Sequence, residues 1–140
     1  MKDFVNVGLL GAGTVGGGVL KVLEKNAEKI AKEVGKPVRI TKVLDRHVDR
    51  LKQEYGDKYI FTDNADEVLE DKDIDIIVEL LGREHPAKEF IARAFANGKH
   101  VVTANKDLIA EHGHELLDTA EQYGCDFKFE AAVAGCVPII

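Results

Sequence analysis

Three glycines near the N-terminus constrain this chain more than any other feature. Gly11, Gly13 and Gly16 follow an apolar run of strand length at residues 4–10, and an amphipathic helical pattern begins directly after them. In such a strand–turn–helix unit, the first glycine allows a tight turn and the second lets the backbone approach a pyrophosphate. The third lets the helix pack closely on the strand, and the start of the helix offers free N–H groups to the phosphates. This context predicts a dinucleotide site; a glycine-rich turn without a ligand is the alternative.

The rest of the sequence alternates between strand and helix patterns. Further strands are predicted at 38–44, 59–61, 74–80, 100–104 and 126–132. Helices are predicted at 14–34, 47–54, 64–69 and 86–96, with a short one from 106, a separate one at 115–122 and a last one opening at 138. Because the 38–44 segment alternates apolar and polar residues, we expect it to be an outer strand. Alternating strands and helices require right-handed crossovers, so we predict one α/β domain at 1–140, a doubly wound, mostly parallel Rossmann sheet.

Composition excludes several classes of partner. The formal charge of −6 argues against nucleic acid or an anionic membrane surface, since both reward clustered Lys and Arg. No apolar run approaches the roughly 20 residues that span a bilayer. Cys125 and Cys136 make a poor disulfide framework, and the N-terminus shows no cleavable signal. We therefore expect a cytoplasmic protein.

Two charged residues follow the predicted strand 38–44. Asp45 stands where a carboxylate usually accepts hydrogen bonds from the adenosine ribose of NAD. Arg46 comes next, and an arginine there can pair with the 2′-phosphate of NADP. Because Asp45 would repel that phosphate unless its side chain turns away, the pair favours NAD while leaving NADP open. A solvated ion pair at a strand end is the alternative.

A lysine follows the predicted strand 100–104. Lys106 comes just after the carboxyl end of that strand, with Asn105 before it as a plausible helix cap. Ligands of open α/β sheets bind along this edge, where a lysine can stabilise a developing oxyanion. A lysine on the solvated surface is equally compatible with the position alone.

Four segments together resemble the N-terminal coenzyme-binding domain of homoserine dehydrogenases. They are G-L-L-G-A-G-T-V-G at 8–16, D-I-I-V-E-L-L-G at 75–82, P-A-K-E at 86–89 with G-K-H-V-V-T-A-N-K at 98–106, and F-E-A-A-V-A-G-C-V-P-I-I at 129–140. The resemblance covers essentially the whole chain, and its last two segments are more specific than the glycine triplet.

The resemblance implies particular site residues. The pyrophosphate loop would comprise Gly11, Ala12, Gly13, Thr14, Val15 and Gly16, and the nicotinamide would lie beside Leu80, Leu81, Gly82 and Thr103. Lys106 would contact both coenzyme and substrate. A monovalent cation such as Na⁺ would be held by a glutamate and backbone carbonyls at Glu130, Val133, Gly135 and Val137, a donor set that suits a hard ion. From sequence alone, Glu130 fits equally a capping or surface acid.

The resemblance also implies a reaction. The family reduces aspartate 4-semialdehyde to homoserine and runs the reverse reaction with NAD or NADP, in the biosynthesis of threonine and methionine. In the family a catalytic and dimerisation region follows, so we expect a homodimer at full length and an inactive isolated domain. A stand-alone NAD(H)-binding regulatory module is the alternative, and the sequence beyond residue 140 would separate the two.

Three positions depart from the family pattern. Arg83 and Cys136 replace common glycines, and Asp45 replaces a common neutral residue. Arg83 puts the geometry of the nicotinamide-side loop in doubt, while Cys136 is expected to be a small buried residue. His112 and His114 flank Gly113 and are candidate metal ligands by residue type, but we expect them to be solvated side chains at a helix junction.

Overall fold

Six parallel strands form a single sheet in the computed structural model, which describes residues 4–11, 36–81, 85–103 and 105–129. The strands are β1 (Val5–Leu10), β2 (Val38–Leu44), β3 (Ile60–Thr62), β4 (Ile76–Glu79), β5 (His100–Thr103) and β6 (Phe127–Phe129). The described helices are α1 (Val48–Tyr55), α2 (Ala65–Leu69), α3 (Ala87–Ala96) and α4 (Lys106–Gln122). The strand order is β3-β2-β1-β4-β5-β6, which is the order of the doubly wound nucleotide-binding fold. The predicted fold class is confirmed.

The apolar run at 4–10 becomes β1, the central strand, with β2 on one side and β4 on the other. Successive side chains of a strand point to opposite faces, so Leu9 and Leu10 enter different cores. Leu9 packs with Val43 and Leu51, whereas Leu10 packs with Ile77 among the residues of the other cluster. Because both faces of β1 are covered, its sequence is almost continuously apolar.

Two local predictions were wrong. Segment 38–44 is not an outer strand, because the short β3 pairs with it from Lys42 to Leu44. The two helices expected from Lys106 and at 115–122 are one helix of 17 residues that runs through Gly113. Gly113 is buried, and a Cβ added there would meet only Ile109 at an ordinary 3.6 Å, so the helix tolerates this glycine rather than ending at it. A glycine inside a helix costs about 1 kcal/mol relative to alanine.

A buried lysine braces the edge of the sheet opposite to the strands' carboxyl ends. Lys99 is only 2% exposed, and its ammonium donates to the carbonyls of Ile74, at 2.9 Å, and Asp71. Lys42 Nζ lies 2.9 Å from the Asp71 carboxylate. Burial alone would raise the pKa of Asp71, but the hydrogen bonds from Lys42 and from the Asp73 backbone N–H hold that pKa below its ordinary value. These contacts fix the turn that leads into β4.

No helix within the described ranges is both long and apolar enough to cross a lipid bilayer.

Candidate functional site

The crevice between β1 and β4 is the point where the strand order reverses. β2 and β3 lie on one side of it and β5 and β6 on the other, so the connections leave the sheet in opposite directions here. Gly11 follows β1, and Leu80 and Leu81 follow β4. The N–H of Leu80 donates to the Leu10 carbonyl at 2.8 Å, which holds the two strand ends together. Ligands of doubly wound sheets bind in this crevice.

Gly11 occupies a position that only glycine fits. Its φ is +88°, and a Cβ there would lie 3.0 Å from Leu81 Cδ2 and 3.4 Å from the carbonyl carbon and oxygen of Leu80. The Gly11 N–H donates to the Leu44 carbonyl at 2.8 Å, so the chain turns directly off the end of the sheet. Gly11 therefore makes the tight turn predicted for the first glycine of the triplet, at the start of the crevice.

Asp45 and Arg46 lie at the carboxyl end of β2, beside this crevice. The Asp45 N–H donates to the Thr62 carbonyl at 2.9 Å, and the side chain is 9% exposed. One carboxylate oxygen accepts from the His47 N–H at 2.8 Å, so the carboxylate is directed into its own turn. Arg46 is exposed. The position of both residues at the strand end is as predicted.

A cleft of about 540 Å³ opens between Arg46 and β3. Its ionisable lining comprises Arg46, His47, Asp49, Arg50, Lys52 and Asp63. Three cations against two carboxylates give the cleft a positive balance when histidine is neutral, which suits an anionic group. The sequence analysis singled out Arg46 only; Arg50 and Lys52 lie four and six residues further, in α1.

The site contains a buried carboxylate that the sequence analysis did not single out. Glu79 is fully buried at the end of β4. One of its oxygens accepts from the Leu81 N–H at 2.6 Å and the other from the Thr103 hydroxyl at 2.7 Å. Glu79 and Thr103 are register partners in the parallel pair β4–β5, so each is the last residue of its strand. The shared last position in neighbouring strands is the signal that could have identified the pair.

Thr103 connects this carboxylate to the start of α4. Its hydroxyl oxygen accepts from the Asn105 N–H at 3.0 Å, and Asn105 Oδ1 accepts from the Leu108 N–H at 3.0 Å, which caps the helix. Lys106 is the first residue of that helix and is exposed. The predicted cap is confirmed, and Lys106 stands at the carboxyl end of β5 as expected.

The histidines flanking Gly113 diverge on α4. His114 is exposed, whereas the half-buried His112 lies 3.5 Å from the Glu115 carboxylate and packs edge-on against His85 at 5.9 Å between ring centroids. The pKa of Glu115 is lowered, first by the hydrogen bond from Lys88 and then by His112. Among the residues that the structure describes, no three His, Cys, Asp or Glu side chains cluster as a metal site would need.

Several predicted site residues lie outside the described residues. They are the remainder of the glycine loop, one residue of the nicotinamide segment and the proposed cation ligands: Ala12, Gly13, Thr14, Val15, Gly16, Gly82, Glu130, Val133, Gly135 and Val137. Arg83 and Cys136, which depart from the family pattern, are also outside them.

Strand order, a glycine turn at the switch point and polar side chains at the carboxyl ends of the strands define a doubly wound dinucleotide-binding domain. Residues 11–130 match the family model of the homoserine dehydrogenase NAD-binding domain. The chain belongs to this family.

Related sequences and solved structures support the same family assignment. The chain is 43% identical over 136 residues to a homoserine dehydrogenase of Bacillus subtilis and 46% identical to one of Neisseria gonorrhoeae. Each match covers 97% of this chain and 31% of the relative. The crystal structure of a homoserine dehydrogenase from Thiobacillus denitrificans superposes with a TM-score of 0.81 at 45% identity, covering 92% of this chain and 30% of that one. The chain thus spans about three tenths of the length of these relatives.

Proposed function

We propose that this chain is the coenzyme-binding part of a longer homoserine dehydrogenase that interconverts aspartate 4-semialdehyde and homoserine. The observation that carries the coenzyme assignment is Gly11, whose positive φ makes a tight turn directly after β1 at the switch-point crevice. The first glycine of a dinucleotide-binding loop makes this turn. The names of the relatives carry the choice of substrate.

The residues of this chain fit the binding and orientation of a nicotinamide coenzyme, which supplies the hydride chemistry when bound. The Leu80–Leu81 backbone would flank the nicotinamide, and the Thr103 hydroxyl, at the end of the neighbouring strand, donates to Glu79 at 2.7 Å. Lys106, at the start of α4, would direct its ammonium at the substrate oxygen and stabilise the negative charge that develops there during reduction.

Both NAD(H) and NADP(H) are compatible with the end of β2, and we propose that Asp45 and Arg46 set the preference. A carboxylate at Asp45 favours the free ribose hydroxyls of NAD. The hydrogen bond from the His47 N–H already occupies one oxygen of the Asp45 carboxylate. The cationic cleft beside Arg46 suits the 2′-phosphate of NADP. The cation site at Glu130, the homodimer and the cytoplasmic location stay predictions from the sequence.

Coenzyme titration of the 140-residue chain tests the proposed function. We expect saturable binding of NADH or NADPH, which nicotinamide fluorescence would detect. We also expect little or no oxidation of homoserine. Binding of neither coenzyme would contradict the proposal. Robust turnover of homoserine would contradict the division of labour between this domain and the rest of the enzyme. A regulatory module would bind coenzyme but would leave no homoserine activity in the longer protein that carries it.

Asp45→Asn should lower the ratio of NAD affinity to NADP affinity. Asparagine can still accept from the His47 N–H, so the turn is kept while the negative charge is removed. Losing a charged hydrogen bond to the ribose weakens NAD by about 1–3 kcal/mol, and NADP gains from the relief of repulsion. The two dissociation constants, measured side by side, check this result.

The matched control for that variant is Asp63→Asn, which removes a carboxylate that lines the neighbouring cleft beside Arg46. An unchanged affinity ratio in Asp45→Asn would show that Asp45 is not at the ribose. An equal change in both variants would show that only the net charge of the cleft matters.

A further inference from the structure

Glu79 is the most deeply buried acid among the described residues of the switch-point region, and its contacts lead to two separate parts of the site. It is 0% exposed, as is Thr103, the residue to which it is joined. An ionised carboxylate in such a place is costly unless several donors compensate it. Its donors include the Leu81 N–H and the Thr103 hydroxyl, at 2.6 and 2.7 Å. Neither bond is a helix or sheet ladder bond, so both exist because of this side chain.

The two bonds to Glu79 join segments that the backbone does not connect directly. Leu81 belongs to the loop after β4, at the coenzyme crevice. Thr103 lies 24 residues after Glu79 and passes the contact on to Asn105, whose side chain caps α4 at Leu108. Four hydrogen bonds of 2.6–3.0 Å therefore run from the crevice loop to the first turn of the helix that carries Lys106.

We propose that Glu79 is a positioning residue that holds the coenzyme loop and Lys106 in a fixed spatial relation. Its fully buried carboxylate orients the Leu81 backbone on one side and, through Thr103 and Asn105, the start of α4 on the other. The Leu80–Leu81 loop and Lys106 then move as one unit. The functional meaning of this connection rests on the proposed function, whereas the connection itself does not.

If the Glu79 carboxylate only contributes to the packing of the core, the expected result of removing it is different. In that case, removing it lowers the stability of the whole domain, and the loop and the helix loosen only as much as the core does. If Glu79 is a positioning residue, the Leu81 and Leu108 amides lose protection beyond the global change, and they lose it together. Hydrogen exchange at single amides separates these two cases because it reports local opening as well as global unfolding.

The variants follow from the bond pattern. Glu79→Met removes both acceptor oxygens and keeps a side chain of similar volume. Thr103→Val breaks the series of four hydrogen bonds at its middle, and Thr103→Ser keeps the hydroxyl. Lys99→Met is the matched control, because Lys99 is equally buried and bonded to backbone carbonyls but braces the opposite edge of the sheet. For each variant of the 140-residue chain, we would measure the free energy of unfolding, amide exchange, and the dissociation constants of NADH and NADPH.

We expect Glu79→Met to speed exchange at Leu81 and Leu108 about tenfold more than at the core amide of Leu9, and to raise the coenzyme dissociation constant about tenfold. Thr103→Val should reproduce the Leu108 effect, and Thr103→Ser should keep Leu108 exchange at the wild-type rate. Lys99→Met should lose stability with no excess exchange at either amide and no change in coenzyme affinity.

Faster exchange at Leu81 alone in Glu79→Met would overturn the proposal, because the loop and the helix would then be independent. Should Glu79→Met fail to fold, the threonine pair decides: equal Leu108 exchange in Thr103→Val and Thr103→Ser overturns the proposal. If the wild type binds neither coenzyme, the proposed function fails, while the exchange results still establish or overturn the connection between Leu81 and Leu108.

Discussion

Gly11→Ala is expected to abolish coenzyme binding and to lower the free energy of unfolding by about 1–3 kcal/mol. Two costs add at this residue. A side chain at φ +88° is strained, and the added Cβ would lie 3.0 Å from Leu81 Cδ2, so the Leu81 side chain must also shift. Relief of the strain distorts the tight turn on which the pyrophosphate site depends. Nicotinamide fluorescence titration and denaturant unfolding measure the two effects.

Gly98→Ala supplies the control for backbone strain. Gly98 has a similar φ of +76°, but nothing lies within 4 Å of a Cβ built there, and it precedes β5 at the opposite edge of the sheet. We expect this variant to lose stability through strain and to bind coenzyme normally. Unimpaired binding by Gly11→Ala would refute the assignment of this turn to the coenzyme site.

Lys106→Ala, made in the longer enzyme that we propose carries this domain, should lower kcat/KM by about a hundredfold or more, while coenzyme affinity changes far less. The exposed ammonium at the start of α4 would stabilise charge on the reacting oxygen, an interaction that strengthens toward the transition state. Lys106→Arg should not restore the rate, since a planar guanidinium does not reproduce a compact point charge. Steady-state kinetics and coenzyme titration give the two numbers.

Lys88→Ala is the comparison for that variant. Lys88 also lies beside α4, where its ammonium is 3.1 Å from the Glu115 carboxylate, but it follows no strand end. We expect it to leave kcat/KM nearly unchanged. A rise in the coenzyme dissociation constant that matches the fall in kcat/KM for Lys106→Ala would reduce Lys106 to a coenzyme contact.

The order of elements could be predicted from the sequence because local patterns carry it. Apolar or alternating segments that end before Gly11, Asp45 and Leu80 mark three strands, and Asn105 marks a helix cap. The two predictions that were wrong concern features that depend on residues distant in the chain. Whether 38–44 is an outer strand depends on the three-residue β3, and whether a helix continues through Gly113 depends on the core that it packs against.

The candidate site shows the same limit. Residues at strand ends, such as Asp45 and Lys106, could be proposed because position alone gives them access to a ligand. Glu79 could not be proposed from its own segment alone, because its role depends on parallel register with Thr103 and on complete burial. A glutamate at the end of an apolar strand is an ordinary exposed residue in most sequences. The direction of the Asp45 carboxylate toward the His47 N–H is likewise a property of the folded turn.

The central position of β1 has a consequence for the time at which the coenzyme can act during synthesis. β1 precedes the other described strands, yet its partner β4 follows β2 and β3 in the chain, so the crevice between them requires synthesis through Leu81. Parallel pairs between distant segments form late, since the intervening chain must first be ordered. Before Leu81 has been synthesised, the coenzyme lacks the crevice between β1 and β4. It stabilises the assembled domain by mass action once folding has closed the crevice.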